Sequence, residues 1–450
     1  MITVTADLLY SETERDLAAA LAGLLADRAA AADVIARTEL AETSDLKLWR
    51  TVAAEIGIAG LLIPEALGGA GASYRELAAA AEQFGAFAAP IPYLGSAAVA
   101  TAVLLSAARS APGAPRRGDG PGLGADDPGG LGSASSGPAA AVRAAQLRAA
   151  ARSSSGAPAA SDTGSSPTGS SGTGAPVSPA AGLLRQLADG TITAALAVAA
   201  ATRPDSPFPA TARIVGRDAR TGTVKLRGTI PAVADALPAD VLLVPADGVP
   251  NALYAVDASA PGGHRTPLVS LDMTRQLCDI TLDDAPGRLV VAGPAAEAAV
   301  TAGLLAGAGV LAAEQLGLAQ RCLDLTVAYA KERRQFARPI GSFQALKHRL
   351  ADLWTAIALA RAASRYAAVC LADDDPDAPV AVALAKSACC DVAVTAAQEC
   401  VQLHGGIGMT WEHPAHLYLK RAKAASVIYG TPGAHRAALA GLVNLPAPDA

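Results

Sequence analysis

The sequence has few cysteines, no cluster of basic residues and no long hydrophobic run, and each shortage excludes a class of protein. Its six cysteines form no Cys-x-x-Cys pair, which fits a reducing cytoplasm better than a disulfide framework. A net charge of -5 without a basic cluster argues against binding to nucleic acid or to an anionic membrane surface. We therefore expect a cytoplasmic protein that binds neither.

The hydrophobic residues are spread along the chain rather than collected into a membrane span. The first residues, "MITVTADLLYSETERDL", have neither the basic nor the apolar region of a signal peptide. The uncharged run that could be mistaken for a membrane span, 298–313, is shorter than the ~20 residues that a span needs and is rich in Ala and Gly. With 51% hydrophobic residues in a chain of 450, we expect a large core divided among two or three domains.

The chain divides into four segments of different character. Residues 1–106 predict an N-terminal helical domain, which starts at a Ser11–Glu14 capping box and includes a strand-like piece after Gly57. Residues 107–182 are dominated by Ser, Gly, Ala and Pro and predict a disordered insertion, a linker rather than a lid. Short runs such as "DVLLVPA" predict a middle β domain over 183–292. Residues 293–450 predict a four-helix bundle, so the fold class is α+β.

The most distinctive stretch is "YAKERRQFARPIGSFQALKHRLADLW", which joins the first two helices of the predicted bundle. It places Arg333, Arg334 and Phe336 at a helix C-terminus, and we expect Ser342 to cap the next helix, which has Gln344 in its first turn. A guanidinium suits a pyrophosphate, and a phenyl ring can lie against a heterocycle. Taken alone, an exposed Arg pair favoured by the helix dipole explains the stretch better.

The second informative stretch is "VQLHGGIGMTWEHP", near the C-terminus of the predicted bundle. Gly405 and Gly406 end a helix and let backbone approach a ligand without interference from a Cβ. A helix C-cap explains these two glycines, but it does not explain Gly408 as well.

Together with "GLLIPEALGGAG", these two stretches resemble the acyl-CoA dehydrogenase family, and in particular its actinobacterial-type subunits that lack the catalytic Glu and work in heteromeric assemblies. The resemblance implies an N-terminal helical domain, a middle β-barrel and a C-terminal four-helix bundle. It also implies FAD and an acyl-CoA thioester substrate. Electron-transfer flavoprotein is one candidate partner, and the sequence leaves the electron acceptor open. In the family a carboxylate removes the proton next to the thioester carbonyl while the flavin takes hydride from the next carbon.

The resemblance also assigns residues to the cofactor. Arg333, Gln335 and Phe336 would reach the FAD of a neighbouring subunit. Residues 402–406 would line the adenosine end of that FAD. Gly430 and Thr431 match the Gly-Thr that follows the catalytic Glu. The predicted cofactor-binding residues are Arg333, Gln335, Phe336, Gln344, Gln402, Leu403, His404, Gly405, Gly406 and Thr431.

The same match puts Tyr429 at the position of the catalytic Glu. A phenol with an ordinary pKa near ~10 is a poor base at neutral pH. The alternative family position for the Glu is Gly307, and Glu314 lies seven residues further on, roughly 10.5 Å along the helix axis. No catalytic residue is therefore assigned, and Glu314 is the candidate for a replacement base.

The segments that would face this chain's own flavin depart from the family pattern too. The family's Thr-Glu-Pro loop appears as "TRPDSPF", with Arg203 in the place of the Glu. The Trp-Ile-Thr strand that covers the flavin ring appears as "AVADA", with Ala232 and Ala234 in the places of Trp and Thr. We expect these changes to weaken the chain's own flavin site.

The sequence offers two further candidates, a metal site and a second possible base, and an ordinary structural role explains each of them better. Cys400, His404, His413 and His416 do not have the spacing of a known metal site, so no metal is expected. His435 is expected to be a helix-start histidine bonded to solvent rather than a base.

Three hypotheses about function remain open. The chain is a base-less subunit that works with a homologous Glu-bearing subunit, for example in a heterotetramer. Alternatively, it is a self-sufficient, homo-oligomeric acyl-CoA dehydrogenase with a replacement base. The third alternative is a catalytically silent binding or scaffold protein of the same fold.

Overall fold

The structure, a computed structural model, describes residues 7–110 and 178–446. Most of the predicted insertion, residues 111–177, lies outside the described residues. On either side of it, the helices Thr101–Arg109 and Pro179–Ala188 extend a few residues into the range 107–182 that was predicted to be disordered.

The N-terminal part is helical, as predicted. The capping box at its start is present, because Ser11 Oγ accepts from the Glu14 amide at 3.2 Å and the Ser11 amide donates to the Glu14 carboxylate at 2.6 Å. The helices are α1 (Glu12–Arg28), α2 (Ala31–Thr38), α3 (Leu46–Glu55), α4 (Tyr74–Ala86), α5 (Thr101–Arg109) and α6 (Pro179–Ala188). A π-helical turn, Leu94–Ala100, leads into α5 and is buried throughout.

The strand-like piece expected after Gly57 is not a strand. Gly57 adopts a left-handed φ of 82°, and the chain continues as two 3-10 turns, Ile58–Gly60 and Glu65–Leu67. Its apolar residues are buried in the helical core, and its backbone amides bond within the segment, for example Ala70 to Gly60 O at 2.9 Å. An apolar run without a neighbouring strand satisfies its backbone locally instead of in a sheet.

The middle β domain is a barrel. Its strands are β1 (Ala194–Leu196), β2 (Ala212–Arg217), β3 (Val224–Ala234), β4 (Val241–Asp247), β5 (Ala252–Asp257), β6 (Gly263–Pro267) and β7 (Leu277–Ala292). β4 pairs with β2, β2 with β3, β3 with β7, β7 with β5, and β5 again with β4. These five strands therefore form a closed barrel. β1 pairs in parallel with β4, and β6 pairs with β7.

The described C-terminal part, from Pro294 onward, is a bundle of three long helices followed by two shorter ones. It consists of α7 (Pro294–Glu332), α8 (Gln344–Ala372), α9 (Ala378–His404), α10 (Ala415–Ala425) and α11 (Pro432–Leu442). Glycines let α7 cross the N-terminal helices closely: a Cβ added at Gly317 would lie 1.8 Å from the carbonyl oxygen of Glu82. The expected cap of α8 is wrong, because Ser342 belongs to a 3-10 turn in which its hydroxyl donates to Pro339 O, and Phe343 precedes the helix.

Two helices of the bundle are long and apolar enough to span a membrane by length and composition. They are Pro294–Glu332 and Ala378–Met409, and 67% and 61% of their most apolar windows are buried inside the fold. This burial is what the central helices of a bundle require, so both helices serve as core elements here.

Candidate functional site

The two distinctive stretches meet at one end of the bundle. The consecutive helices α7, α8 and α9 alternate in direction, so α7 and α9 point the same way. Their C-termini therefore lie side by side. The rings of Tyr329 on α7 and His404 on α9 stack there, with centroids 4.5 Å apart and planes 28° apart. We call residues 333–344 and 402–411 the bundle end. The structure thus brings together two motifs that are separated by about 70 residues in the sequence.

A strained hairpin presents an aromatic ring at the bundle end. Its short strands, β8 (Arg334–Gln335) and β9 (Arg338–Pro339), are joined by a two-residue turn. Both turn residues have left-handed φ angles, 52° at Phe336 and 61° at Ala337, although hairpin turns of this type favour Asn and Gly. The Phe336 side chain is 85% exposed. Strain of this kind is typical of residues that a binding site holds in a fixed place.

The bundle end also carries unpaired positive charge beside open backbone. Arg333 and Arg334 are exposed, and neither forms an ion pair with a described residue. Gly405 has a φ of 63°, and a Cβ added at Gly405 or Gly406 would meet no atom within 4 Å. Exposed guanidinium groups, a phenyl ring and backbone without side chains at Gly405 and Gly406 fit the pyrophosphate and the ring of a dinucleotide.

Several other predicted cofactor residues occupy the same end, with different exposure. Gln335, Gln344 and Gln402 are exposed, Leu403 is half-buried, and His404 is buried. The Nδ1 atom of His404 lies 2.6 Å from Cys400 O, so His404 supports the bundle end from beneath. Gly408, which the helix cap did not explain, is needed for packing, because an added Cβ would lie 2.5 Å from Val401 O.

Thr431 lies elsewhere. It caps α11, accepting from the Ala434 amide at 3.2 Å. The adjacent residue Gly430 accepts from Lys386, which lies 18 residues before His404 on α9, or about 27 Å along the helix axis. The predicted cofactor residues therefore fall into two places. We call the second place the seam: the turn 426–431, the loop 197–208, the end of β3 and the π-helical turn Leu94–Ala100.

Tyr429 is buried in the seam. Its backbone is left-handed, with a φ of 58°, and its amide donates to Ala200 O at 2.7 Å. Its ring lies against Gly307 on α7, where an added Cβ would be 2.8 Å from the Cε2 atom of the ring. Burial raises the pKa of Tyr429 above its ordinary value, and the charge of Asp235 raises it further. The phenol therefore stays protonated and has no capacity as a base at neutral pH.

Two neighbouring side chains fix the turn that carries Tyr429. His435 Nε2 lies 2.9 Å from Tyr429 O, and Lys386 Nζ donates to Ala425 O at 3.1 Å and to Gly430 O at 3.4 Å. The expectation that His435 is bonded to solvent is wrong, because the fold buries it and its ring bonds to the backbone. Lys386 was missed by the sequence analysis; a single lysine in the apolar run of α9 was its only signal.

Glu314 has an environment unlike that of a base. The side chain is fully buried, and its carboxylate contacts Arg275 Nη2 at 2.5 Å, Arg421 Nε at 2.9 Å and the hydroxyl of Tyr93. Burial alone would raise the pKa of Glu314, but the two guanidinium groups lower it to about 2. A carboxylate with so low a proton affinity and no path to solvent holds the core together, and this geometry gives no support to its role as a replacement base.

The seam leaves almost no space for a ligand. Its crevice has room for about one water molecule. The lining residues are Gly95, Val99, Leu196, Val198, Ala200, Ala234 and Tyr429. Ala200 also donates to Ala232 O at 3.0 Å, so the strand predicted to cover a flavin ring is bonded directly to the loop that faces it. The residues of the seam do not fit a flavin ring, whereas those of the bundle end fit a dinucleotide.

Metal ligands do not converge in the described ranges 7–110 and 178–446, where no three His, Cys, Asp or Glu side chains are placed to share an ion. The histidines near the bundle end take part in other contacts. His413 lies 4.3 Å from His404, centroid to centroid, and His416 Nε2 lies 3.0 Å from Trp411 O.

Comparisons with known proteins agree with this architecture. Models of the acyl-CoA dehydrogenase N-terminal domain and C-terminal domain match residues 11–110 and 297–442, which together make up more than half of the chain. The acyl-CoA dehydrogenase IpdE2 of Mycobacterium tuberculosis is 46% identical over 166 residues, 37% of this chain and 48% of that protein. The match thus spans about half the length of that relative.

Two solved structures of paired chains have the same fold. The ChsE4-ChsE5 complex from Mycobacterium tuberculosis superposes with a TM-score of 0.72 at 24% identity, covering 98% of this chain and 100% of the other. A structure titled as a Tcur3481-Tcur3483 steroid ACAD variant superposes with a TM-score of 0.70 at 25% identity, covering 96% of this chain and 98% of the other.

Proposed function

Because the chain belongs to the acyl-CoA dehydrogenase family of FAD-dependent oxidoreductases, we propose that it takes part in the α,β-dehydrogenation of an acyl-CoA thioester as a subunit without its own catalytic base. The observation that carries the proposal is the contrast between its two candidate places. The bundle end is open, cationic and lined by glycine, whereas the seam is closed and holds no available base.

The missing base follows from the chemistry of the reaction. Removing a proton next to a thioester carbonyl needs a positioned group with a suitable pKa, normally a carboxylate. Tyr429 stays protonated, Gly307 has no side chain, and Glu314 is held by two arginines. A homologous subunit that carries the Glu must then supply proton abstraction for the assembly.

At the bundle end, this chain's own residues would hold the FAD of that partner. Arg333 would contact the pyrophosphate, the absence of side chains at Gly405 and Gly406 would let it approach the backbone closely, and Phe336 would cover a ring face. Gln335, Gln344, Gln402 and Leu403 would form the surrounding surface. FAD, when bound, supplies the hydride acceptor. The paired chains named in the titles of the ChsE4-ChsE5 and Tcur3481-Tcur3483 structures support a heteromeric arrangement.

The same proposal includes an electron-transfer flavoprotein as electron acceptor and a cytoplasmic location. A solved structure titled as an electron transferring flavoprotein of Acidaminococcus fermentans shares the fold at 21% identity, which concerns the fold alone. All six cysteines are free and buried, as a reducing compartment favours.

Co-purification with a Glu-bearing homologue tests the proposal. We expect about one FAD per pair of unlike chains, and we expect Arg333→Ala to lower the FAD retained by the complex at least several-fold, because a charge-assisted contact is lost. Arg436→Ala is the matched control, since Arg436 is exposed and pairs with Asp391 away from the bundle end. One FAD per chain in the protein alone, with acyl-CoA oxidation of order 1 per second or faster, would contradict the proposal.

A further inference from the structure

We infer that Tyr429 is a plug that joins the barrel to the bundle and closes this chain's own side to flavin and thioester, so that the chain contributes to a single FAD site. Only the statement that the chain contributes to a single FAD site rests on the proposed function. The plug itself is argued from contacts within the seam.

The first argument is a continuous series of backbone hydrogen bonds across the seam. Ala232, near the end of β3, accepts from Ala200 at 3.0 Å, and Ala200 in turn accepts from Tyr429 at 2.7 Å. A flat ring between two walls needs about 3.5 Å to each face, or roughly 7 Å in all. These segments are bonded to one another, so a ring could enter only by breaking the bonds. The Tyr429 amide is likewise occupied and cannot bind a thioester carbonyl.

The second argument is the fit of the Tyr429 ring into α7. A Cβ at Gly307 would lie 2.8 Å from Cε2 and 3.0 Å from Cζ of Tyr429, and 2.7 Å from a methyl group of Val99. The notch left by a glycine is therefore filled by the ring and by the π-helical turn. What remains is a crevice with room for about one water molecule.

The third argument is that the backbone polar groups of the turn 426–431 form hydrogen bonds with other residues of this chain. The left-handed backbone of Tyr429 is unfavourable for a non-glycine residue, so it needs compensating contacts. His435 and Lys386 bond the carbonyl groups of Tyr429 and Gly430, and the aliphatic part of Arg203 covers Gly430, where an added Cβ would lie 2.9 Å from Cγ. The same contacts therefore occupy the backbone amide of Tyr429 and the carbonyl groups of Tyr429 and Gly430, which cannot then bind a ligand.

A double-mutant cycle in the free chain tests the fit of the ring. Gly307→Ala should lower the midpoint of thermal unfolding by about 3 °C or more, because the added methyl group overlaps the ring. The same change in a Tyr429→Ala background should have a clearly smaller effect, since the ring is gone and only the contact with the Val99 methyl group remains. Tyr429→Phe keeps the ring and should stay within about 1 °C of the original protein. Additive shifts, or a Tyr429→Phe protein as unstable as Tyr429→Ala, would overturn the plug.

Hydrogen exchange with and without FAD, on the complex with a Glu-bearing homologue, tests the closure without any substitution. Peptides of this chain that span 197–206 and 426–433 should exchange slowly and identically in both conditions, whereas the hairpin 333–343 should gain protection from FAD. Fast exchange at 426–433, or protection there by FAD, would overturn the plug. Slow, unchanged exchange at 426–433 with an unprotected hairpin would support the plug and count against the proposed function alone.

Discussion

The ring of Tyr429 occupies the space that a side chain at residue 307 would need: a Cβ at Gly307 would lie 2.8 Å from the ring. These are the two positions at which the sequence resemblance would put a catalytic Glu. They face each other across the seam, so a large residue at one requires a small residue at the other. The ring at residue 429 and the glycine at residue 307 therefore form one structural feature of the seam, in which neither position holds a carboxylate.

Tyr429→Glu is expected to give no turnover in the free chain. The new carboxylate would be buried near Asp235 and Glu314, whose charges already act on Tyr429, and the seam would still have no slot for a flavin. Reduction of an artificial electron acceptor, measured with a panel of acyl-CoA thioesters, checks this. Turnover well above that of Tyr429→Gln, the uncharged control, would show that a base was the only missing part.

Glu314→Gln should destabilise the chain by about 3–5 kcal/mol, because it leaves two buried guanidinium groups without their shared counter-charge. The free energy of unfolding, from denaturant titration, measures the effect. Glu297→Gln is the matched control: Glu297 is exposed and contacts Asn251, so the change should stay within about 0.5 kcal/mol. Equal effects of the two substitutions would refute the structural role given to Glu314.

Ala337→Gly should stabilise the free chain by about 0.5–1 kcal/mol, because residue 337 has a φ of 61° that glycine adopts without strain. Ala351→Gly is the control: Ala351 is exposed in the middle of α8, where glycine should cost about 1 kcal/mol. Denaturant midpoints of the two variants should therefore move in opposite directions. Loss of stability in both would mean that the hairpin does not hold this turn in solution.

The stability of the chain should fall as the pH drops below about 6.5, in part through His435. Burial lowers the pKa of His435 in the fold, while the unfolded chain keeps the ordinary value of about 6.5. Between these two pKa values the unfolded state binds more protons, so stability is full above pH 6.5 and is lost as the pH falls toward the folded pKa.

Urea midpoints measured from pH 7.5 to pH 5 check this dependence. His435→Gln removes the titrating ring and should flatten the curve over that range, whatever its effect at pH 7.5. A curve as steep as that of the original protein would assign the dependence to other groups, such as His413, whose pKa is also lowered by burial.

Short-range patterns in the sequence determined the main elements of this protein. The Ser11–Glu14 capping box, the helical runs of the bundle and the glycine that ends α9 depend on residues within one or two turns, so they can be predicted without the fold. The same patterns predicted the order of a helical domain, a β domain and a helical bundle, whereas the barrel form of the middle domain came from the motif resemblance; the structure has both the order and the barrel. By contrast, the predictions of a strand after Gly57 and of a cap at Ser342 were wrong. The apolar piece after Gly57 has no neighbouring strand and bonds within its own segment, and the Ser342 hydroxyl donates to Pro339 O instead of capping α8.

Only the tertiary structure decided what the candidate site can do. From the sequence alone, Glu314 was the candidate for a replacement base. Its partners Arg275 and Arg421 lie 39 and 107 residues away, and only folding brings their guanidinium groups next to its carboxylate. His435 and Lys386 acquire their roles from the turn between them, and Gly408 from a carbonyl of the preceding helix. The closure of the seam likewise depends on four segments that meet only when the barrel packs on the helical parts of the chain. Hydrogen bonds and steric fit act over a few ångströms, so the spacing of residues in the sequence does not reveal them.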